Sequence, residues 1–232
     1  MSGAVAAKRL LFVHDGYALN AYIKRVGGVL SVSVAGQVRF YFDSVAAGYH
    51  TASQSPVWGI VRQREQRALL SLLGPVTSRE VLELGCGAGY YTRLLLAEGA
   101  THIWAVDFSQ PMLAQLPTSN VTAIHGDAAT VDPGRSFNLI VSAGMLEFVP
   151  DPVAVLRNAA LHANPSATLI LLYPTSSVLG SAYRRFHRRN SMDIRLFDQA
   201  TLQHMATATG WTVTQTRAAG PFSACARLER GV

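Results

Sequence analysis

The sequence predicts an α/β fold, a doubly wound and mostly parallel seven-stranded sheet preceded by helices, and three observations carry that prediction. Short apolar runs alternate with helical patterns from residue 81 onward. The first of these runs breaks into a glycine-rich turn that opens a helix. A chain of 232 residues with 49% apolar and 15% charged side chains holds material for one sizeable core.

Each element follows from local pattern. Residues 1–37 carry apolar stretches at 10–13 and 29–35 without sustained periodicity, interrupted by Gly27 and Gly28, and read as a leader or lid. Helical spacing of Phe40 or Tyr41, Val45 and Tyr49 predicts a helix over 38–49. A second helix follows over 58–73, with Arg62, Arg64, Glu65 and Arg67 at its polar positions. Gly74 and Pro75 end it. The main domain, 75–232, then reads as strand 81–84, helix 90–98, strand 103–106, helix 111–115, and strands 121–125 and 137–142. It continues as helix 152–162, strand 168–173, a basic loop around 176–190 within a cap at 176–197, helix 198–209, and strands 212–217 and 222–228. Strands separated by helical crossovers pair in parallel with helices on both faces.

Composition bounds the partners. A formal charge of +6 favours an anionic small molecule, a membrane surface or a nucleic acid electrostatically, and equally suits plain solubility. Two cysteines, Cys86 and Cys225, cannot build a disulfide framework, so a cytoplasmic setting is expected. No apolar run reaches the roughly 18 to 20 residues that cross a bilayer, and no signal-peptide core is evident. The histidines lack metal-ligand spacing, so no metal is expected.

The chemistry concentrates at the segment Glu83-Leu84-Gly85-Cys86-Gly87-Ala88-Gly89, where glycines between strand and helix let a ligand approach backbone amides. In a dinucleotide fingerprint the third glycine falls at position 90, which here is Tyr90. Two carboxylates end the next two strands: Asp107, eighteen residues after Gly89, can take both hydroxyls of a ribose, and Asp127 can accept from an adenine amino group. A simpler reading is a tight turn and helix caps, with Ser109 the better cap than Asp107.

With Val106-Asp107-Phe108-Ser109 and Gly126-Asp127-Ala128 following that glycine turn, residues 40–217 resemble the class I S-adenosylmethionine-dependent methyltransferases. The small-molecule enzymes of ubiquinone and magnesium-porphyrin pathways are similar in particular. The resemblance implies S-adenosylmethionine as cofactor and S-adenosylhomocysteine as product. It places Glu83, Gly85, Cys86 and Gly87 at the methionine part, Asp107, Phe108 and Met112 at the ribose and adenine, and Asp127 and Ala128 at the adenine edge. Ala143 to Glu147 would pass beneath the methionine towards the acceptor, with Met145 on the acceptor side and Tyr41 covering the cofactor from a lid helix. A seventh, antiparallel strand is implied at 222–228.

Methyl transfer to a small, anionic or amphiphilic metabolite is therefore expected, with oxygen favoured over carbon or nitrogen. A hydroxyl acceptor needs a base, for which His187, Glu147, His50, Tyr41 and Tyr49 are candidates and His187 is preferred. Arg184, Arg185 and Arg188 suit an anion clamp, or else form a solvated basic face. A nucleic-acid methyltransferase, a nicotinamide oxidoreductase and a non-catalytic cofactor-binding subunit are the rival readings. No stable nucleic-acid partner is expected, and a homodimer is compatible with the sequence.

Overall fold

The computed structural model describes the backbone of residues 23–26, 29–32, 34–53, 56–189 and 192–231, and the side chains of 35–48, 58–189 and 192–231. Two short strands, β1 (Ile23–Val26) and β2 (Val29–Val32), pair antiparallel. They occupy part of the stretch 1–37 read as a leader or lid; residues 1–22, 27, 28 and 33 of it lie outside the described residues. Two helices follow, α1 (Val34–Ser53) and α2 (Pro56–Leu73), both longer than the periodicity predicts.

A seven-stranded sheet forms from β3 (Glu80–Leu84), β4 (His102–Asp107), β5 (Val121–His125), β6 (Phe137–Ala143), β7 (Ala163–Pro174), β8 (Trp211–Ala218) and β9 (Ser223–Arg230). Its order is β5-β4-β3-β6-β7-β9-β8. The first five strands run parallel, and β9 runs antiparallel to both β7 and β8. The antiparallel strand at 222–228 is thus present, inserted between β7 and β8. Hairpin geometry explains this, since β8 and β9 are joined by a short turn and must pair with each other.

The helices α3 (Tyr90–Ala97), α4 (Gln110–Leu113), α5 (Pro152–Leu161), α6 (Val178–Arg189) and α7 (Gln199–Ala208) complete the order. Leu69, Leu72 and Leu73 of α2 and Tyr91 and Leu95 of α3 bury against one sheet face. Val155, Leu156 and Ala159 of α5 and Leu202, Met205 and Ala206 of α7 bury against the other, with Trp211. The Trp211 indole donates to the Leu156 carbonyl at 3.0 Å, so this large ring is dry without an orphaned N–H. Caps start these helices where the sequence offers them: Asp151 accepts from Ala154 N, and Asp198 from Thr201 N.

One expectation needs correction here. The basic stretch around 176–190, read as a loop, forms α6. Its apolar and aromatic residues recur at helical spacing, and Tyr183 and His187 turn inward while the arginines face outward.

Register fixes where a ligand can go. Leu84 lies beside Val106 and Ser142, and Asp107 beside His125, so four strands end at one edge. The chain runs outward from β3 through β4 to β5 and then returns to β6 on the other side. That reversal opens a crevice beyond the carboxyl ends of β3 and β6, where open α/β sheets hold ligands.

Candidate active site

A cavity of about 410 Å³ fills that crevice. The turn after β3 forms its floor: Gly85 N and Cys86 N both donate to the Val106 carbonyl, at 2.8 and 3.0 Å, which bends the chain across the end of β4. Gly85 adopts φ +74, and a Cβ there would run into the Met145 side chain. Gly87, at φ +52, has open space where a Cβ would stand, so a ligand meets bare backbone.

Asp107 locks this turn to the next strand. Its carboxylate accepts from Gly87 N at 2.8 Å and from Ser109 N at 2.9 Å, while Ser109 caps α4. Burial pushes the Asp107 carboxyl up, opposed by these backbone donors. Gly126, Asp127 and Ala128 line the same cavity from the end of β5. That loop is held from behind by Asn158, whose amide donates to the carbonyls of Ala128 and Val131 at 3.1 and 2.9 Å.

Helix α1 closes the cavity. The Ser109 hydroxyl donates to Asp43 at 2.5 Å and the Gln115 amide to the Ala46 carbonyl at 2.8 Å. Phe42 stands edge-on to Phe108 and Phe148, with ring centroids 6.2 and 5.1 Å away. Gly85, Cys86, Gly87, Asp107, Phe108, Met112, Asp127, Ala128 and Ala143, expected at the cofactor, all line this cavity; Met145, expected on the acceptor side, lines it as well and not the smaller cavity beside it.

Two members of that set lie elsewhere. Glu83 does not reach the cavity; it is buried beneath the turn, accepts from the Thr92 hydroxyl at 2.5 Å, and has its carboxyl pushed up to about 8 by loss of solvent. It braces the turn from below, because a strand residue two positions before Gly85 points into a sheet face. Tyr41 also misses the cavity, and Phe42 takes the expected place. One residue rotates the helix surface by about 100°, and periodicity alone does not resolve that step.

Tyr41 instead lines a second cavity of about 90 Å³, which shares Phe42, Arg62, Gly144 and Phe148 with the first. Aromatic residues Trp58, Tyr173, Tyr183 and Phe222 form much of its remaining wall. The Tyr183 and Phe222 rings stack at 4.5 Å, and Tyr183 stands edge-on to His187 at the same separation. Four ionisable side chains face this space: Arg62, Glu65, Glu147 and His187. Burial pushes the Glu147 carboxyl up to about 8 and the His187 imidazole down to about 4, so both are uncharged at neutral pH. Neither ring nitrogen of His187, nor Glu147 Oε2, has a hydrogen-bond partner among the described residues. Arg62 Nη1 lies 3.3 Å from Glu65 Oε2, with its guanidinium over the rings of Tyr90 and Tyr91.

Sequence reasoning missed Arg62 and Glu65 as site residues and placed both on a solvated helix face. Their i, i+3 spacing marks an ion pair, and only the packing of α2 against the sheet buries Glu65. The arginine clamp is also corrected. Arg184 and Arg188 each make two hydrogen bonds to Asp193, at 2.6 to 3.1 Å, which holds the Asp193 carboxyl far below the usual range. With Arg185 exposed, all three lie on the outer face of α6 and line neither cavity. The side chains of Tyr49 and His50 lie outside the described residues. No helix of the described residues is long and apolar enough to cross a membrane, and they hold no cluster of three metal-ligating side chains.

Comparison with known proteins agrees with this geometry. A family model described as a methyltransferase domain matches residues 58–216. A malonyl-[acyl-carrier protein] O-methyltransferase from Bacillus cereus is 33% identical over 124 residues, covering 50% of this chain and 45% of that protein. The chain thus spans about half the length of that relative. Among solved structures, the DhpI complex with S-adenosylmethionine superposes with a TM-score of 0.68 at 22% identity, covering 86% of this chain and 99% of that one. The magnesium protoporphyrin IX methyltransferase of Synechocystis with bound S-adenosylhomocysteine gives 0.67 at 18% identity, covering 86% and 100%. The larger cavity fits the cofactor these enzymes hold, with a side-chain-free cradle at Gly87 and a buried carboxylate at Asp107. The chain belongs to the class I S-adenosylmethionine-dependent methyltransferases, and S-adenosylmethionine is its cofactor.

Proposed function

We propose that this enzyme methylates a small, anionic or amphiphilic metabolite at oxygen, in the aromatic cavity beside the cofactor. The observation that carries the reading is the second cavity itself, which adjoins the first at Phe42, Arg62, Gly144 and Phe148 and carries polar groups on a largely apolar wall. The cofactor supplies a methyl group on a sulfonium. Gly85, Gly87 and Ala143 would border its methionine part, Asp107 the ribose hydroxyls, and Met112, Asp127 and Ala128 the adenine.

The protein's contribution is alignment and exclusion of water. Phe42 and Phe148, edge-on to each other, line both cavities, and an aligned pair of reactants can lower the barrier by about 7 kcal/mol or more. His187 and Glu147 are the residues we assign to the acceptor. A space of about 90 Å³ admits the reacting end of a small molecule and leaves a bulky remainder outside. The basic charge of the chain does not enter this site through α6, because two of its arginines are spent on Asp193.

Calorimetry tests the assignment. S-adenosylhomocysteine should bind the wild type, and Asp107→Ala should weaken it by roughly tenfold or more through loss of charge-assisted hydrogen bonds. Asp107→Asn keeps one of the two backbone hydrogen bonds and should fall between wild type and Asp107→Ala. Unchanged affinity in both variants would remove Asp107 from the cofactor site. For the acceptor side, a crystal soaked with S-adenosylhomocysteine should place its sulfur beside Gly144 and Phe148; a sulfur pointing away from the smaller cavity would refute the reading.

A further inference from the structure

We infer that the acceptor is a carboxylate, seated against the Arg62 guanidinium where the two cavities meet, and that the product is its methyl ester. The inference rests on the reading of the smaller cavity as the acceptor chamber, and it follows from comparing three acceptor chemistries with the groups that line that chamber.

A hydroxyl acceptor must lose a proton as it attacks. The one imidazole in the chamber, His187, sits among the rings of Tyr183, Phe148 and Phe186, at centroid distances of 4.5 to 5.5 Å. No carboxylate orients it or stabilises its charged form, since neither ring nitrogen has a hydrogen-bond partner among the described residues. Burial without such support makes it a weak base, as the value of about 4 also indicates. An amine acceptor arrives protonated at neutral pH and meets the same weakly basic imidazole. It also meets a guanidinium, since Arg62 is the one Arg or Lys among the described residues lining this chamber.

A carboxylate arrives with its lone pairs available and no proton to lose. What it needs is compensation for leaving water, because an unpaired buried charge is costly. Arg62 supplies the opposite charge in the fork geometry that matches a carboxylate. Its present neighbour Glu65, 3.3 Å from Nη1, is itself buried, and burial pushes its carboxyl up; the fork's other N–H groups face a second carboxylate, as the two arginines of α6 share Asp193. Protonated Glu147 and neutral His187 each carry one hydrogen that can be donated to the acceptor's oxygens.

In the step itself, a lone pair on the acceptor's carboxylate oxygen forms the C–O bond to the methyl carbon as the C–S bond breaks. The C–S pair stays on sulfur, the negative and positive charges vanish together, and no proton moves. The step therefore asks no base of the chamber. Arg62 acts by orienting the acceptor and by selecting its charge.

Benzoate, benzyl alcohol and benzylamine are matched probes, each a ring that suits the aromatic wall with a different polar end. They are titrated by calorimetry into the full chain saturated with S-adenosylhomocysteine. Benzoate should bind the wild type roughly tenfold more tightly than the other two, as expected of a charge-assisted pair. Arg62→Gln should abolish the preference and Arg62→Lys should keep part of it, which distinguishes charge recognition from a folding defect. Equal or better binding of the alcohol or amine, survival of the preference in Arg62→Gln, or no binding of any probe would overturn the inference. Failure of S-adenosylhomocysteine to bind the wild type would instead overturn the assignment of the larger cavity, a separate result.

Discussion

Glu147 offers the sharpest test of the dryness of the acceptor chamber. It follows β6, in a 3₁₀ turn at Leu146–Phe148, and is 5% exposed, with Oε2 lacking a hydrogen-bond partner among the described residues. Desolvation by burial raises its carboxyl from 4.5 to about 8. Below about pH 4.5 folded and unfolded chains both hold the proton, so the group contributes nothing to their difference. Above that, the unfolded chain ionises while the folded one keeps its proton, and stability falls by about 1.4 kcal/mol per pH unit until about pH 8. Between about pH 6 and about pH 9 the loss through this group is about 3 kcal/mol. Glu147→Gln keeps the shape and cannot ionise, so its urea unfolding free energy should fall less over that interval, by the same amount. Glu83 titrates in both proteins and cancels in the comparison. Parallel profiles for wild type and variant would show that the chamber is wet or that the carboxylate is paired, and the electrostatic reading of the acceptor site would fail.

Two substitutions probe the cofactor site. Gly85→Ala places a Cβ at φ +74 against Met145 and should cost about 1 to 3 kcal/mol in urea unfolding. Cofactor affinity should fall with it, and Met145→Ala in the same chain should restore part of the loss; no rescue would show that the backbone conformation alone is at fault. Asn158→Ala leaves the buried carbonyls of Ala128 and Val131 without their donor, which should cost about 1 to 3 kcal/mol and weaken S-adenosylhomocysteine binding in calorimetry, although Asn158 does not line the cavity. Full retention of affinity would mean that the loop after β5 holds its shape unaided.

Much of the larger cavity was legible in sequence because its floor is built from the ends of strands. Gly85, Asp107 and Asp127 stand next to apolar runs whose period fixes the strands, and a parallel sheet with right-handed crossovers brings consecutive strand ends to one edge. What failed there failed by one helical step, with Phe42 in the place expected of Tyr41, or by one sheet face, with Glu83 below the turn. Both are questions of side-chain direction, which tertiary packing decides. The arginines of α6 misled for a related reason. Their positive charge is plain in the sequence, but Asp193, which pairs with Arg184 and Arg188, lies beyond the helix and becomes their partner only when the chain folds back.

The acceptor side was largely illegible, and its construction explains why. Its wall draws Tyr41 and Phe42 from α1, Arg62 and Glu65 from α2, Tyr183 and His187 from α6, and Phe222 from the turn before β9. These residues meet because β9 inserts between β7 and β8 and carries Phe222 back against Tyr183 and Trp58. No local pattern encodes that meeting. The division has a physical consequence: Gly85, Gly87, Asp107 and Asp127 line the larger cavity and not the smaller, whose wall can change in α1, α2 or α6 without disturbing them. Arg62 and Phe42 are the exceptions, since each lines both cavities. A change at either should alter donor and acceptor binding together, whereas a change at His187 should alter acceptor binding alone.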